Sequence, residues 1–212
     1  MLTLDEVHLS TEAWKPNEST PTRRSWWASN DPVLFRILAS PSPEVTEEGW
    51  RIRAARETAQ GGGISLSFDE VRIHGCRAFR GVFKYPAARS VPGIGKESMA
   101  VFIVGLIALP LGASHLLINT EALEHGVTGA REAVYGLTQP KPAPGAVTRV
   151  GGIDELFASI GRSLATTLPS DDARFDSLAP EHPLSRVRAR QSQLIADLRF
   201  GEALRKLALR VG

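Results

Sequence analysis

Residues 99–111 (Met-Ala-Val-Phe-Ile-Val-Gly-Leu-Ile-Ala-Leu-Pro-Leu) form the longest apolar run in the chain. At 13 residues, with Gly105 and Pro110 inside it, the run is shorter than the roughly 20 residues a bilayer-spanning helix needs. Residues alternate between the two faces of a strand, so a stretch apolar at every position reads as a strand covered on both sides. The chain around Met99–Leu109 must therefore supply two layers of cover.

The flanking sequence supplies strands on either side. Ile64-Ser-Leu-Ser-Phe68 alternates apolar with polar residues, Val71 and Ile73 continue it, and Cys76 to Tyr85 returns after a turn at His74-Gly75. Leu116 to Glu121 follows a turn spanning Pro110 to Ser114. Upstream, Trp26-Trp27 and Val33 to Leu38 read as core strands separated by an Asn30-Asp-Pro32 turn. The first 25 residues are otherwise polar.

Helices are expected in three places. Ser42-Pro43 with Glu44, Glu47 and Glu48 opens one that runs to about Gln60, because proline and acids suit the free amides and dipole of a first turn. Trp50, Ile52, Ala54 and Ala55 would form its buried side, and Gly61-Gly-Gly63 stops it. Thr128 is a candidate N-cap for a short helix from Gly129 to about Leu137. Ile153 to Leu168 is helical in pattern, and Pro183 opens a final helix whose Leu184, Val187, Gln191, Leu194, Ile195 and Leu198 fall at helical spacing. Between them, Gln139-Pro-Lys-Pro-Ala-Pro-Gly145 is a proline-stiffened linker. The organisation read from this is a core over 1–138, a linker over 139–152 and a helical appendage over 153–212, packed on the core.

Charge and cysteine usage exclude several function classes. The net charge is only +2, yet residues 183–212 hold seven Lys/Arg against Asp197 and Glu202. Cys76 is the lone cysteine, so neither an internal disulfide nor a thiolate metal cluster can form. The residues after Met1 show no basic, then apolar, leader pattern, and a cytoplasmic location is expected.

Four phrases occur in a fixed order: His74-Gly-Cys-Arg-Ala-Phe leading to Phe83-Lys84-Tyr-Pro; Phe102-Ile-Val-Gly leading to Leu109-Pro110; Glu124-His-Gly126-Val-Thr128-Gly129-Ala-Arg131-Glu132-Ala; and Phe175-Asp leading to Pro180-Glu-His182-Pro183-Leu-Ser-Arg-Val-Arg188. Together with the turn glycine Gly75 they resemble a set of uncharacterised bacterial proteins of the PsbP-like α-β-α sandwich fold. The resemblance implies a curved antiparallel sheet between helical layers and a use in binding partners rather than in catalysis. Gly75, Lys84, Pro110, Glu124, Gly126, Thr128, Gly129, Arg131, Glu132, His182 and Pro183 then read as a structural signature, with Glu124 or Glu132 expected to hold Arg131.

The chemical candidates are thin. Gly93-Ile-Gly-Lys96-Glu-Ser98 departs from a phosphate loop, since Ser90 stands where the first glycine belongs and Glu97 separates Lys96 from the hydroxyl. Cys76 beside His74 lacks a third member for a thiol triad. His115, Glu121, Glu124 and His125 bring imidazoles and carboxylates into one region without metal-ligand spacing. Arg186, Arg188 and Arg190 on the final helix suit phosphate or acidic partners, although Asp171, Asp172 and Asp176 stand close enough to pair with them.

The expectation is thus an α+β sandwich of five to seven antiparallel strands with helices on both faces. Its most economical function is a non-enzymatic protein-binding module, an adaptor or an inhibitor- or immunity-type partner. Trp26, Trp27, Lys96 with its loop (Pro86 to Ser98), and Arg186, Arg188 and Arg190 would be its contacts, with another protein as partner and no cofactor, metal or membrane. The alternatives are a small-molecule enzyme using His115, Glu121, Glu124 and His125, and phosphate or nucleic-acid binding by the basic C-terminal helix. Direct nucleic-acid recognition would call for more positive charge and for stacking aromatics, and after Ser177 only Phe200 is aromatic.

Overall fold

The computed structural model describes residues 3–28, 31–39, 46–87, 93, 100–124, 129–139 and 166–210, with backbone alone for 32–39. Lys96, His125, Gly126, Thr128, the linker after Gln139 and residues 153–165 of the helix expected from Ile153 to Leu168 lie outside the described residues, and residues 166–168 are not helical.

Eight strands appear up to Leu123: β1 (Val7–His8), β2 (Lys15–Ser19), β3 (Arg23–Ala28), β4 (Asp31–Ala39), β5 (Ile64–Ile73), β6 (Cys76–Pro86), β7 (Val101–Leu111) and β8 (Ser114–Leu123). Helix α1 (Glu47–Gln60) lies between β4 and β5, and α2 (Ala130–Thr138) follows β8. After two short 3-10 turns, Pro169–Asp171 and Ala173–Phe175, come α3 (Pro183–Asp197), β9 (Arg199–Phe200) and α4 (Glu202–Leu209). Strands β2 to β8 form one antiparallel seven-stranded sheet in the order β2-β3-β4-β8-β7-β6-β5.

The long apolar run is β7, bonded on both sides by β6 and β8. Its odd-numbered residues Val101, Ile103 and Ile107 are buried on one face, where Val82, Ala122 and Ile118 join them and α3 and α4 supply Leu184, Val187, Leu194 and Leu204. On the opposite face Ala108, Phe79, Phe68 and Leu117 pack against Trp50 of α1. The expected mixed α+β architecture, with helices on both faces of an antiparallel sheet, is therefore present.

Local chemistry explains the joints. His74 (φ +50°) and Gly75 (φ +81°) both take positive φ, the geometry of a tight two-residue hairpin, so β5 turns directly into β6. Thr46 caps α1 by accepting from the Gly49 amide. Gly105 is needed for close approach: a Cβ there would stand 2.7 Å from Val187 Cγ1 and 2.8 Å from Gln191 Nε2, and closer still to Thr120 Oγ1. This is where α3 lies directly on β7, and the Gln191 amide donates to the carbonyls of Gly81 (2.9 Å) and Leu106 (3.2 Å).

Two expectations need correcting. Ile52 is 59% exposed and Ala55 is exposed as well, while Trp50, Ala54 and Thr58 are buried. Helix α1 covers the β5–β6 edge along this single i, i+4, i+8 stripe, so its buried side is narrower than its composition suggests. The polar N-terminal stretch holds β1 and β2. Strand β2 tolerates Pro16 because it is the sheet edge, and β1 pairs with β9, Val7 opposite Phe200. Next to that pair the Glu6 carbonyl accepts from Gly201 N (2.7 Å), and the Glu6 carboxylate accepts from Ala203 N at the start of α4 (3.2 Å).

Candidate functional site

Charged and hydrogen-bonding side chains concentrate where β6 and β8 end and β7 begins. Glu124, just past β8, is 7% exposed. Its amide donates to Val101 O (2.9 Å), and its carboxylate accepts from Val101 N (3.3 Å) and Gly129 N (3.2 Å). Gly129 (φ +79°) is the N-cap of α2 and has no side chain to cap with; Glu124, from outside the helix, satisfies the amide of Gly129 itself.

Arg131 is fully buried. Its Nε donates to Ser170 O, Nη1 to Ser185 Oγ (2.6 Å), and Nη2 to both Asp172 O (2.8 Å) and Asp176 Oδ1 (2.7 Å). The same Asp176 oxygen receives Arg188 Nη1 (3.1 Å), and Arg188 Nη2 reaches Asp171 O (2.7 Å). Lys84 Nζ, from the end of β6, pairs with Asp171 Oδ2 at 2.9 Å. One network thus joins β6, α2, the 3-10 turns and α3. Arg131 is held by Asp176 and not, as expected, by Glu124 or Glu132. Successive helix residues diverge by about 100°, so Arg131 points at the α3 side while Glu132 accepts from Ser170 Oγ (3.2 Å).

His182 caps α3, its Nδ1 accepting from Leu184 N (3.2 Å). That bond places the proton on Nε2, which faces Glu124 Oε1 at 3.7 Å. Burial, reinforced by the charge of Arg131 and only partly opposed by Asp171, lowers the His182 pKa to about 4. Burial also raises that of Glu124, with Glu132 adding to it, against the amides of Gly129 and Val101. The two side chains form the floor of a cavity of about 370 Å³ walled by Leu123, Ala130, Val134, Leu178 and Pro183. The free lone pair of neutral His182 is engaged by the Leu184 amide, and each Glu124 oxygen holds one backbone amide, so both side chains position the chain ends.

The sequence candidates scatter by comparison. His115 is buried against the Trp50 ring (5.0 Å between centroids) near the start of β8, while Glu124 follows its end. Nine residues at about 3.3 Å each separate them by roughly 30 Å, so His115 does not join Glu124 in one pocket. Arg186 pairs with Asp31 (3.1 Å), Arg188 with Asp176, and Arg190 stacks over Trp14 (5.0 Å). Trp26 packs edge-on to Trp14 (6.4 Å), and Trp27 on the other face of β3 is 43% exposed. Gly75 lies in the hairpin turn, and Pro110 near the end of β7 opposite His115. Lys84, Glu124, Gly129, Arg131, Glu132, His182 and Pro183 do converge, as pieces of the network and cavity. Asp176, Ser185 and Ser170 hold Arg131 from a distant segment, and the cluster of acids before the arginine-rich helix is the one trace of this in the sequence. Among the described residues no group of three or more His, Cys, Asp or Glu is placed to hold a metal.

No protein-family model matches the chain, and no curated protein does. Similar solved structures include the Saccharomyces cerevisiae Ran-binding protein Mog1p, at 12% identity and TM-score 0.42, covering 64% of this chain and 80% of that one. A Mog1 point mutant matches at 12% identity and TM-score 0.42, over 62% and 78%. At this level the likeness carries nothing about partner or activity. It does correct the resemblance to PsbP-like proteins: the neighbours found are Mog1 structures. Of the motifs behind that resemblance, Lys84, Glu124, Arg131 and His182 meet at one end of the sheet, whereas Gly75 and Pro110 lie at the other.

Proposed function

We propose that this protein is a non-enzymatic protein-binding module, an adaptor or inhibitor-type partner, which receives an apolar segment of another protein in the groove between α2 and the start of α3. The observation that carries this reading is the apolar face of α2. Ala130 and Val134 line the cavity, and Leu137, on the same face by helical spacing, stands 87% exposed beyond it. Leu178 on the opposite rim is also exposed. A small ligand would fill the cavity and leave Leu137 bare, whereas a protein segment covers both.

Leu137→Glu and Leu178→Glu test it. Both side chains point to solvent, so each variant should keep its stability within about 0.5 kcal/mol. A protein retained from native cells by the unaltered chain, and shown with purified components to bind it saturably, should lose affinity by at least tenfold for both variants. Retention of every such protein by both variants sinks the reading.

A further inference from the structure

A second cavity, about 260 Å³, lies at the opposite end of β6, lined by His74, Arg199, Phe200 and Arg205. Two guanidinium groups and an imidazole converge there, and none of the four lining residues is an acid. Arg199 Nη1 donates to Ala196 O (2.6 Å) and Leu198 O (3.0 Å), which aims the side chain, and stands 2.8 Å from His74 Nε2. Nε2 itself lies 2.7 Å from Leu198 O. His74 holds its ring there from a positive-φ turn position that non-glycine residues seldom occupy. Arg205 has no ion pair among the described residues: Glu202, one turn earlier on α4, is taken by Lys206. Arg186 and Arg188, by contrast, are spent on their own chain's aspartates and Lys206 on Glu202.

We propose that this cavity binds a phosphate-type oxyanion. With Arg199 Nη1 engaged by the Ala196 and Leu198 carbonyls, Arg199 Nε and Nη2 and the Arg205 guanidinium remain to meet tetrahedral oxygens, and two formal positive charges suit a group carrying about −1.5 to −2 better than a monoanionic carboxylate. Phe200, half-buried at the wall, offers an apolar surface to whatever the phosphate esterifies. The inference stands independently of the α2 groove.

The test is a titration of the full chain, followed by NMR signals of the arginine side chains and His74, with inorganic phosphate and with phenyl phosphate. Acetate and chloride at equal ionic strength serve as controls. Saturable shifts at His74, Arg199 and Arg205 with either phosphate, absent with the controls, support the site. Tighter binding of phenyl phosphate identifies a phosphate ester as the ligand, and equal binding identifies free phosphate. Arg205→Ala should weaken binding at least tenfold and Arg205→Lys less. Arg205→Ala should also unfold at the same temperature as the unaltered chain, which separates loss of binding from loss of fold. Shifts that follow ionic strength alone, saturation by acetate as readily as by phosphate, or undiminished binding in Arg205→Ala overturn the proposal.

Discussion

Lys84 and Asp171, 87 positions apart in sequence, form a buried ion pair at 2.9 Å that fastens the 3-10 turns to the end of β6. The Asp171 oxygen that receives Lys84 also accepts the Leu168 amide (2.8 Å). Lys84→Met leaves a buried carboxylate without its cation and should cost about 3–5 kcal/mol in chemical denaturation. Adding Asp171→Asn removes the stranded charge while keeping an acceptor for Leu168, and should recover a large part of the loss. A double variant no better than Lys84→Met would show that the pair is not coupled.

Arg131→Lys tests the guanidinium network. A lysine ammonium cannot span Ser170 O, Ser185 Oγ, Asp172 O and Asp176 Oδ1 together. The expected cost is about 3–5 kcal/mol, read from the denaturation midpoint. A loss below 1 kcal/mol would mean that water replaces those bonds at little penalty.

Gly105→Ala should lift α3 from the sheet. The new methyl meets Val187, Gln191 and Thr120, all inside normal contact distance. Overpacking of this kind costs roughly 1–3 kcal/mol, and the loosened Gln191 bonds to Gly81 and Leu106 add to it. Gly93→Ala is no matched control, because Gly93 has a positive φ; Gly136→Ala, in open space on α2, is one and should be neutral or stabilising.

The His182 and Glu124 pair predicts how stability varies with pH. His182 is depressed to about 4 from 6.5. Between these values the unfolded chain binds a proton that the folded one refuses, so stability is full above pH 6.5 and falls as pH drops toward 4, by about 3 kcal/mol from this residue. Glu124 is raised from 4.5 and acts in the opposite sense: its contribution is full below 4.5 and is lost as pH rises through the folded value. His182→Asn keeps a capping side chain and should flatten the fall between pH 6.5 and 4. Glu124→Gln should steepen it. Unfolding midpoints measured across pH 4–7 check both, and an unchanged slope in His182→Asn refutes the assignment.

What could be read in the sequence was local. The β5–β6 hairpin, β7 and the buried stripe of α3 each follow from a few adjacent residues: His74-Gly75, the unbroken apolar run, and Leu184 with its helical repeats. Helix α2, expected with Thr128 as its cap, has Gly129 as its N-cap. What could not be read depends on distant partners. Strands β1 and β9 are two residues each and exist only because Val7 meets Phe200. Ile52 looks like a core residue until the narrow contact of α1 with the sheet edge is known. Arg131 and Glu124 stood out as residues of one motif, yet their partners Asp176 and His182 come from a segment some 50 positions later. The site is a meeting of segments, and spacing within one segment does not reveal it.

The clasp of Glu6, Val7 and Phe200 also has a kinetic meaning. It closes a loop of nearly the whole described chain, so by contact order it forms late, and it is the natural place for the first partial opening. Beneath it, Cys76 shares a core cluster with Leu204 and Ala208 of α4, and burial holds its thiol in the protonated, unreactive form. A thiol reagent would therefore read any opening that uncovers Cys76, whose cover includes Leu204 and Ala208 of α4.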